Sequence, residues 1–375
     1  MKYGNQLRYA IEIVKEYDGS IPLAAWLKQF YKQNKQMGGR DRKTVSEMVF
    51  TYYRLGHNQF TSVNERMLAA VAASPNLQEL KQYFFPADTD SKTSQLFSVD
   101  NIFPWRDLLS DGIDADAFSQ SFLVQPDVFL RVRPGKHAMV DEKLRKAGVP
   151  FRKCGADCIA VMPAAKIDEV LDVNSDVVIQ DKSSQDTALL LDPVRNLFQN
   201  RAISVWDSCA ASGGKSIMVH DLIQSVELTV SDIRESIVRN LHTRFRQAGI
   251  HKFQSFVADV TNPRSEIPGT YDLIIADVPC SGSGTWSRTP EQLFFTTPNK
   301  IDYYSNLQKS IVTRLIPHLR RHGFLLYITC SVFRKENEEV VEYLKTSDLN
   351  VVEQKVFAGY HDKADTLFGA LLRGS

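Results

Sequence analysis

Ala202-Ile-Ser-Val-Trp-Asp207-Ser-Cys-Ala-Ala-Ser-Gly-Gly-Lys-Ser216 decides the architecture of the second half of the chain. Ala202 to Trp206 is apolar and β-branched enough for a buried strand, and the small residues after it let the backbone turn tightly. A helix is predicted from Gly214 to Ile223. Downstream the same pattern repeats, with strands at Leu228–Val230, Ser255–Val257, Leu273–Ala276 and Phe324–Ile328 and helices at Glu235–Ala248 and Ser305–Arg321. Alternation of this kind forces crossover connections and a parallel sheet covered on both faces, a doubly wound α/β domain.

Upstream the signals differ. Leu7, Ala10, Ile11, Val14 and Tyr17, then Val45, Met48, Val49, Tyr52 and Tyr53, recur at three- and four-residue steps, which predicts packed amphipathic helices. Residues 77–116 have weak periodicity and read as a connection. Short strands at Val128–Arg133, Cys158–Met162 and Asp176–Gln180, with helices at Val140–Ala147 and Lys166–Leu171, predict a small α+β module. The expected organisation is a helical domain (1–95), the α+β module (117–182) and the doubly wound domain (183–375). No internal repeat or low-complexity tract is visible.

The chain has 375 residues, 43% of them hydrophobic and 24% charged, which fits a folded protein of two or three domains. No apolar run approaches the roughly 20 residues that cross a bilayer. Five cysteines at irregular spacing (154, 158, 209, 280 and 330) argue against a disulfide framework and for a reducing compartment, and no zinc-ligand spacing accompanies them. A cytoplasmic monomer with no membrane segment and no metal is expected. Net charge is only +1, so a nucleic-acid partner would need local positive potential. The first fifty residues carry nine Lys/Arg against five Asp/Glu, clustered at Arg40, Arg42 and Lys43, a pattern that charge alone assigns first to a solvated helix face with a basic cap.

In doubly wound sheets the ligand lies beyond the carboxyl ends of the strands. The 207–216 turn there lacks the G-x-G-x-x-G of dinucleotide sites and has only the Gly-Lys-Ser tail of a P-loop. The next strand ends at Asp232, placed to accept ribose hydroxyls, and the third at Asp259, within reach of an adenine amine. A lone carboxylate after a strand commonly caps a helix, but two in succession after a glycine-rich turn favour a nucleoside ligand. The fourth and fifth strands run into Asp277-Val-Pro-Cys-Ser-Gly-Ser-Gly284 and Tyr327-Ile-Thr-Cys-Ser331, each ending on a cysteine. One such cysteine is usually a buried small hydrophobe; two at one sheet edge suggest thiol chemistry.

These segments resemble the Nop/Sun family of RNA cytosine-C5 methyltransferases, in particular its bacterial ribosomal-RNA members. The family motifs D-x-C-A-A-P-G-G-K-T, D-x-P-C-S-G-x-G and Y-x-T-C-S stand here as D-S-C-A-A-S-G-G-K-S, D-V-P-C-S-G-S-G and Y-I-T-C-S, in the same order. Val178-Ile-Gln-Asp-Lys-Ser-Ser-Gln185 and Gly39-Arg-Asp-Arg42 are also similar to family segments. Ser212 replaces the family proline, which implies a looser turn.

The resemblance implies a Rossmann-like domain that takes S-adenosylmethionine and methylates cytosine C5 in RNA, with ribosomal 16S RNA favoured over tRNA. It implies Cys330 as nucleophile toward C6, Cys280 as the group assisting release, and Asp277 between cofactor and base. Cys209, Ala210, Ala211, Ser212, Gly213, Gly214, Lys215, Asp232, Asp259 and Asp277 would hold the cofactor, and Arg288 would contact RNA beside the base or else form a surface salt bridge. An ordinary cysteine is only about 3% thiolate at pH 7, so nearby cations or helix-terminal amides are expected to depress its pKa. A methyltransferase acting on an exocyclic nitrogen is disfavoured because Cys280 stands where its motif has a second proline. A catalytically silent RNA-binding assembly factor is the reading from another class, with Ser212 alone pointing to it.

Overall fold

The computed structural model describes residues 2–86, 96–199 and 201–375. Residues 87–95, inside the predicted connection, lie outside the described set. By packing, the chain divides into two compact units: one comprises residues 1–109, 114–125 and 285–297, the other 110–113, 126–284 and 298–375.

The first unit is helical. Its helices are α1 (Lys2–Glu16), α2 (Leu23–Gln33), α3 (Gly39–Arg54), α4 (Val63–Ala73), which is buried on most of its surface, and α5 (Gln78–Phe84). Ala10 and Ile13 of α1, with Tyr17 just beyond its end, pack with Val45, Met48, Val49 and Tyr53 of α3, as a 3.6-residue period requires. Helix α4 starts in a capping box: Ser62 Oγ accepts from Glu65 N (3.1 Å) while Glu65 Oε2 accepts from Thr61 N (2.8 Å). The segment 285–297 belongs to this core, with Trp286 and Leu293 fully buried. Arg54 fastens it: its buried guanidinium donates to the carbonyls of Ser287 (2.7 Å) and Phe122 (2.8 Å). Burial, only partly offset by the charges of Glu47 and Glu291, pushes the Arg54 pKa down to about 10. Of the basic cluster, Arg42 Nε donates to Met37 O (2.9 Å) and Arg40 faces Glu79 at 3.5 Å.

The second unit holds two sheets. In the smaller, β1 (Val128–Val132), β2 (Phe151–Lys153), β3 (Cys158–Val161) and β4 (Val177–Ile179) lie in the order β2-β3-β1-β4, all antiparallel. Strand β2 was not anticipated, being three residues long with only Phe151 apolar. The helix expected at Lys166–Leu171 is a single 3-10 turn, Ile167–Glu169.

The larger sheet contains β5 (Ile203–Asp207), β6 (Val226–Asp232), β7 (Phe253–Val257), β8 (Tyr271–Asp277), β9 (Leu319–Thr329), β10 (Leu349–Ala358) and β11 (Thr366–Gly374), ordered β10-β11-β9-β8-β5-β6-β7. From β9 to β7 every pairing is parallel. The β10–β11 hairpin closes the other edge antiparallel, a feature outside the predicted pattern. Successive side chains alternate between two cores. Val205, Leu273, Ile275, Leu326 and Ile328 face the helices Gly214–Leu222 and Glu235–Gln247. Trp206, Ile274, Ala276, Leu325 and Tyr327 face Pro298–Leu315 and Glu338–Lys345. The long helix ends at Leu315 rather than Arg321, because Pro317 cannot continue it and Leu319 already starts β9. No helix among the described residues is long and apolar enough to cross a membrane.

Candidate active site

Strand β5 delivers the turn. Ser208 is fixed to the neighbouring strand through Ile275 O (2.9 Å from its Oγ), and its own carbonyl accepts from Ser231 Oγ (3.0 Å). Ala210 N donates to Ser231 O and Gly213 N to Ala210 O. The path needs left-handed backbone at Ala211 (φ +45°) and Gly213 (φ +82°). At Gly213 a Cβ would also sit 2.6 Å from the Phe245 ring, so glycine is required twice over. Arg244, on the helix Glu235–Gln247, donates to the Ser212 carbonyl at 2.8 Å while its Nε donates to Asn174 Oδ1 at 3.0 Å. The turn thus gains an external tie at the residue where the similar family has proline.

Beneath the turn, Asp207 is fully buried. Its Oδ2 accepts from Ser216 Oγ (2.6 Å), and its Oδ1 has no partner among the described residues. Burial pushes its pKa up to about 7. Desolvation likewise pushes the Cys209 thiol up to about 12. Lys215 is 7% exposed and spans two groups, donating to Ser184 Oγ (2.7 Å) and to Asp277 Oδ2 (3.2 Å). Ser184 lies in the 178–185 segment but was not among the expected site residues.

At the end of β6, Asp232 accepts from Ala211 N (3.0 Å), Arg234 N (3.0 Å) and Arg234 Nε (3.0 Å). Burial alone would raise its pKa, but the Arg234 bonds outweigh it and hold the carboxyl below the ordinary range. Asp259 Oδ1 accepts from Thr261 N (2.9 Å) and Oγ1 (2.6 Å), the turn-capping role that a carboxylate after a strand often has.

The two late cysteines meet. Cys280 Sγ and Cys330 Sγ are 3.2 Å apart, both free thiols. Gly284 makes the approach possible: its amide donates to Cys330 O (2.9 Å), and a Cβ there would lie 1.8 Å from Thr366 O. Glu336, unforeseen from the sequence, accepts from Ser281 N (2.8 Å) and Ser331 Oγ (2.8 Å), the residues directly after the two cysteines. The hydrogen bond to Cys330, burial and the Glu336 charge together push the Cys280 thiol well above its ordinary range. The expected cation is not found: among the described residues no Lys, Arg or His bonds either sulfur, and the neighbour of Cys330 is the other thiol. Arg288 lies in the 285–297 segment of the helical unit, half-buried, its amide donating to Thr285 O (2.9 Å). No group of His, Cys, Asp or Glu among the described residues could hold a metal ion.

A parallel sheet extended by an antiparallel hairpin, with a small-residue turn after its first strand and carboxylates after the next, is the Rossmann-like methyltransferase fold. Residues 188–366 match the family described as 16S rRNA methyltransferase RsmB/F. Among curated relatives, the probable ribosomal RNA small subunit methyltransferase B of Bacillus subtilis (strain 168) is 27% identical over 60% of this chain and 51% of its own length. The ribosomal RNA small subunit methyltransferase B of Xylella fastidiosa (strain 9a5c) is 30% identical over 44% of this chain and 38% of its own. The chain thus spans about half or less of these relatives. Among solved structures, PH0851 superposes with a TM-score of 0.70 at 17% identity, covering 97% of this chain and 96% of that one. NSun6 from Pyrococcus horikoshii, solved with SFG, gives 0.59 at 15%, covering 81% and 99%. At such identities the likeness establishes the fold.

Proposed function

We propose that this chain is an S-adenosylmethionine-dependent RNA methyltransferase that forms 5-methylcytosine, with 16S ribosomal RNA as its substrate. The observation that carries the reading is the 3.2 Å contact between Cys280 and Cys330 at the same sheet edge as Asp277 and Lys215. The match of residues 188–366 to the RsmB/F family supports the choice of RNA.

The residues at the strand ends fit the cofactor. The buried, unpartnered Oδ1 of Asp207 is an acceptor in search of a donor such as an ammonium group. The turn from Cys209 through Ala210, Ala211, Ser212 and Gly213 to Gly214 and Lys215 offers small residues for close approach. Asp232 would accept the ribose hydroxyls and Asp259 the adenine amine. Arg234 now occupies the Asp232 oxygens, so it must yield for the ribose to bind. The bound cofactor supplies an electrophilic methyl group.

C5 of cytosine is a poor nucleophile until C6 is attacked. Cys330 adds through its sulfur to C6, which makes C5 enamine-like and able to take the methyl group. Solvent water then takes the proton from C5 and the C6–S bond breaks with its electron pair returning to sulfur, restoring the aromatic ring and the free thiolate. Cys280 keeps the adjacent proton and assists that release. Asp277, held by Lys215, orients the exocyclic amine or N3 of the base. The base must be unstacked to expose C6, so a loop or single strand is the substrate. Arg288 and the helical unit serve RNA positioning.

The test is incubation of the protein with methyl-labelled S-adenosylmethionine and unmodified 16S rRNA or tRNA, followed by bisulfite mapping. Label in a bisulfite-resistant cytosine of rRNA is expected. Label confined to tRNA would move the substrate, and no label or label on an exocyclic nitrogen would end the proposal.

A further inference from the structure

Glu336 has no exposed surface, yet it carries a carboxylate. Burying such a group is unfavourable unless donors replace the lost water, so its partners show what the position is for. Oε2 accepts from Ser281 N (2.8 Å) and from Gln308 Nε2 (3.1 Å), and Oε1 accepts from Ser331 Oγ (2.8 Å). Gln308 Nε2 also donates to Pro279 O at 3.1 Å. These partners flank the sulfurs: Pro279 and Ser281 lie on either side of Cys280, and Ser331 follows Cys330. The two cysteine loops come from different strands, β8 and β9, and this one carboxylate bridges them. The Glu336 carbonyl accepts from Tyr327 Oη (2.6 Å), which fixes the residue's own backbone to β9.

Taking Cys330 and Cys280 as the reacting pair, we propose that Glu336, with Gln308, is a positioning residue that sets the separation of the two sulfurs. It touches neither sulfur through a hydrogen bond and acts through the residues beside them. A side chain that merely filled space would be apolar here, since an apolar group carries no desolvation cost.

Sulfur separation can be read without cofactor or RNA. Diamide joins two nearby thiols: an S–S bond forms, the thiols lose two hydrogens, and the diazene is reduced to its hydrazine. Closure of Cys280 onto Cys330 would be followed by mass spectrometry in the full chain, its Glu336→Gln, Glu336→Ala and Ser331→Ala variants, beside kcat and KM for RNA methylation. Glu336→Ala is expected to slow closure and lower kcat roughly 10- to 100-fold, the scale of a 1 Å misplacement, with KM within about twofold. Glu336→Gln, which keeps the shape and an acceptor, restores both to within about threefold. Ser331→Ala removes one tie and slows closure several-fold, and it serves if Glu336→Ala fails to fold. Wild-type closure in Ser331→Ala or Glu336→Ala, or a loss seen only in KM, overturns the proposal, as does a Gln variant as impaired as the Ala one. If even the unmodified chain transfers no methyl group to RNA, the closure rates still decide the positioning role and the functional reading fails separately.

Discussion

Arg244 Nη1 lies 2.8 Å from the carbonyl oxygen of Ser212, and this bond holds the turn from outside. If the tie substitutes for backbone stiffness, Arg244→Ala weakens S-adenosylmethionine binding by about 0.5–1.5 kcal/mol, the worth of a hydrogen bond. Ser212→Pro in that background recovers part of the loss by restricting the free turn. Calorimetric titration of the three proteins checks both statements. Equal affinities throughout would show that the turn is rigid without either device.

The proposed mechanism gives Cys280 and Cys330 different fates. Cys330→Ser abolishes methyl transfer, because a hydroxyl is a far weaker nucleophile toward C6. Cys280→Ala lets the adduct form and stalls its release, leaving a covalent protein–RNA species visible as a slow band on a denaturing gel. Full turnover by the Cys330 variant with labelled cofactor would remove the mechanism.

Asp207 makes stability depend on pH. Its folded pKa, about 7, lies above the ordinary carboxyl value, so the folded chain holds that proton more tightly than the unfolded chain. The contribution is complete below about pH 4 and is lost as pH rises through about 7. Asp207→Asn removes the titration, so the stability of the unmodified chain relative to the variant should fall by on the order of 2 kcal/mol between pH 5 and 8. Urea unfolding across that range measures it, and parallel profiles would rule the effect out.

Gly284 allows the Pro-Cys loop to lie against β11. Gly284→Ala would drive a methyl group into the Thr366 carbonyl, 1.8 Å away, and the loop must shift. A loss of roughly 3 kcal/mol is expected, together with slower reaction of the two thiols with diamide. Unchanged denaturant midpoint and thiol reactivity would count against it.

Much of this was legible in the residues. Strands such as Leu273–Ala276 are continuous apolar runs, and the turn at 207–216 follows from small residues after one of them. The β10–β11 hairpin was not legible, since Glu353, Gln354 and Lys355 face water on an edge strand and blur the alternation. Pro317, which ends the long helix, was visible but was read through. Asp232 and Asp259 fall where strand ends put them, but their present partners, Arg234 and Thr261, are decided by side-chain geometry that spacing does not encode. Glu336 was hidden for a similar reason: a glutamate in Arg-Lys-Glu-Asn-Glu looks like a solvated charge run until the fold turns it inward.

Segment 285–297 leaves the sheet-bearing unit and returns to it at residue 298. A fragment beginning at residue 126 would retain Trp286 and Leu293, which are fully covered in the whole chain, but not the helices and the Arg54 guanidinium that shelter and fasten their segment. Recombinant expression of the sheet-bearing half alone should therefore yield a sticky, aggregating product. Engineers wishing to separate the halves would have to bridge 284 to 298 with a short polar linker.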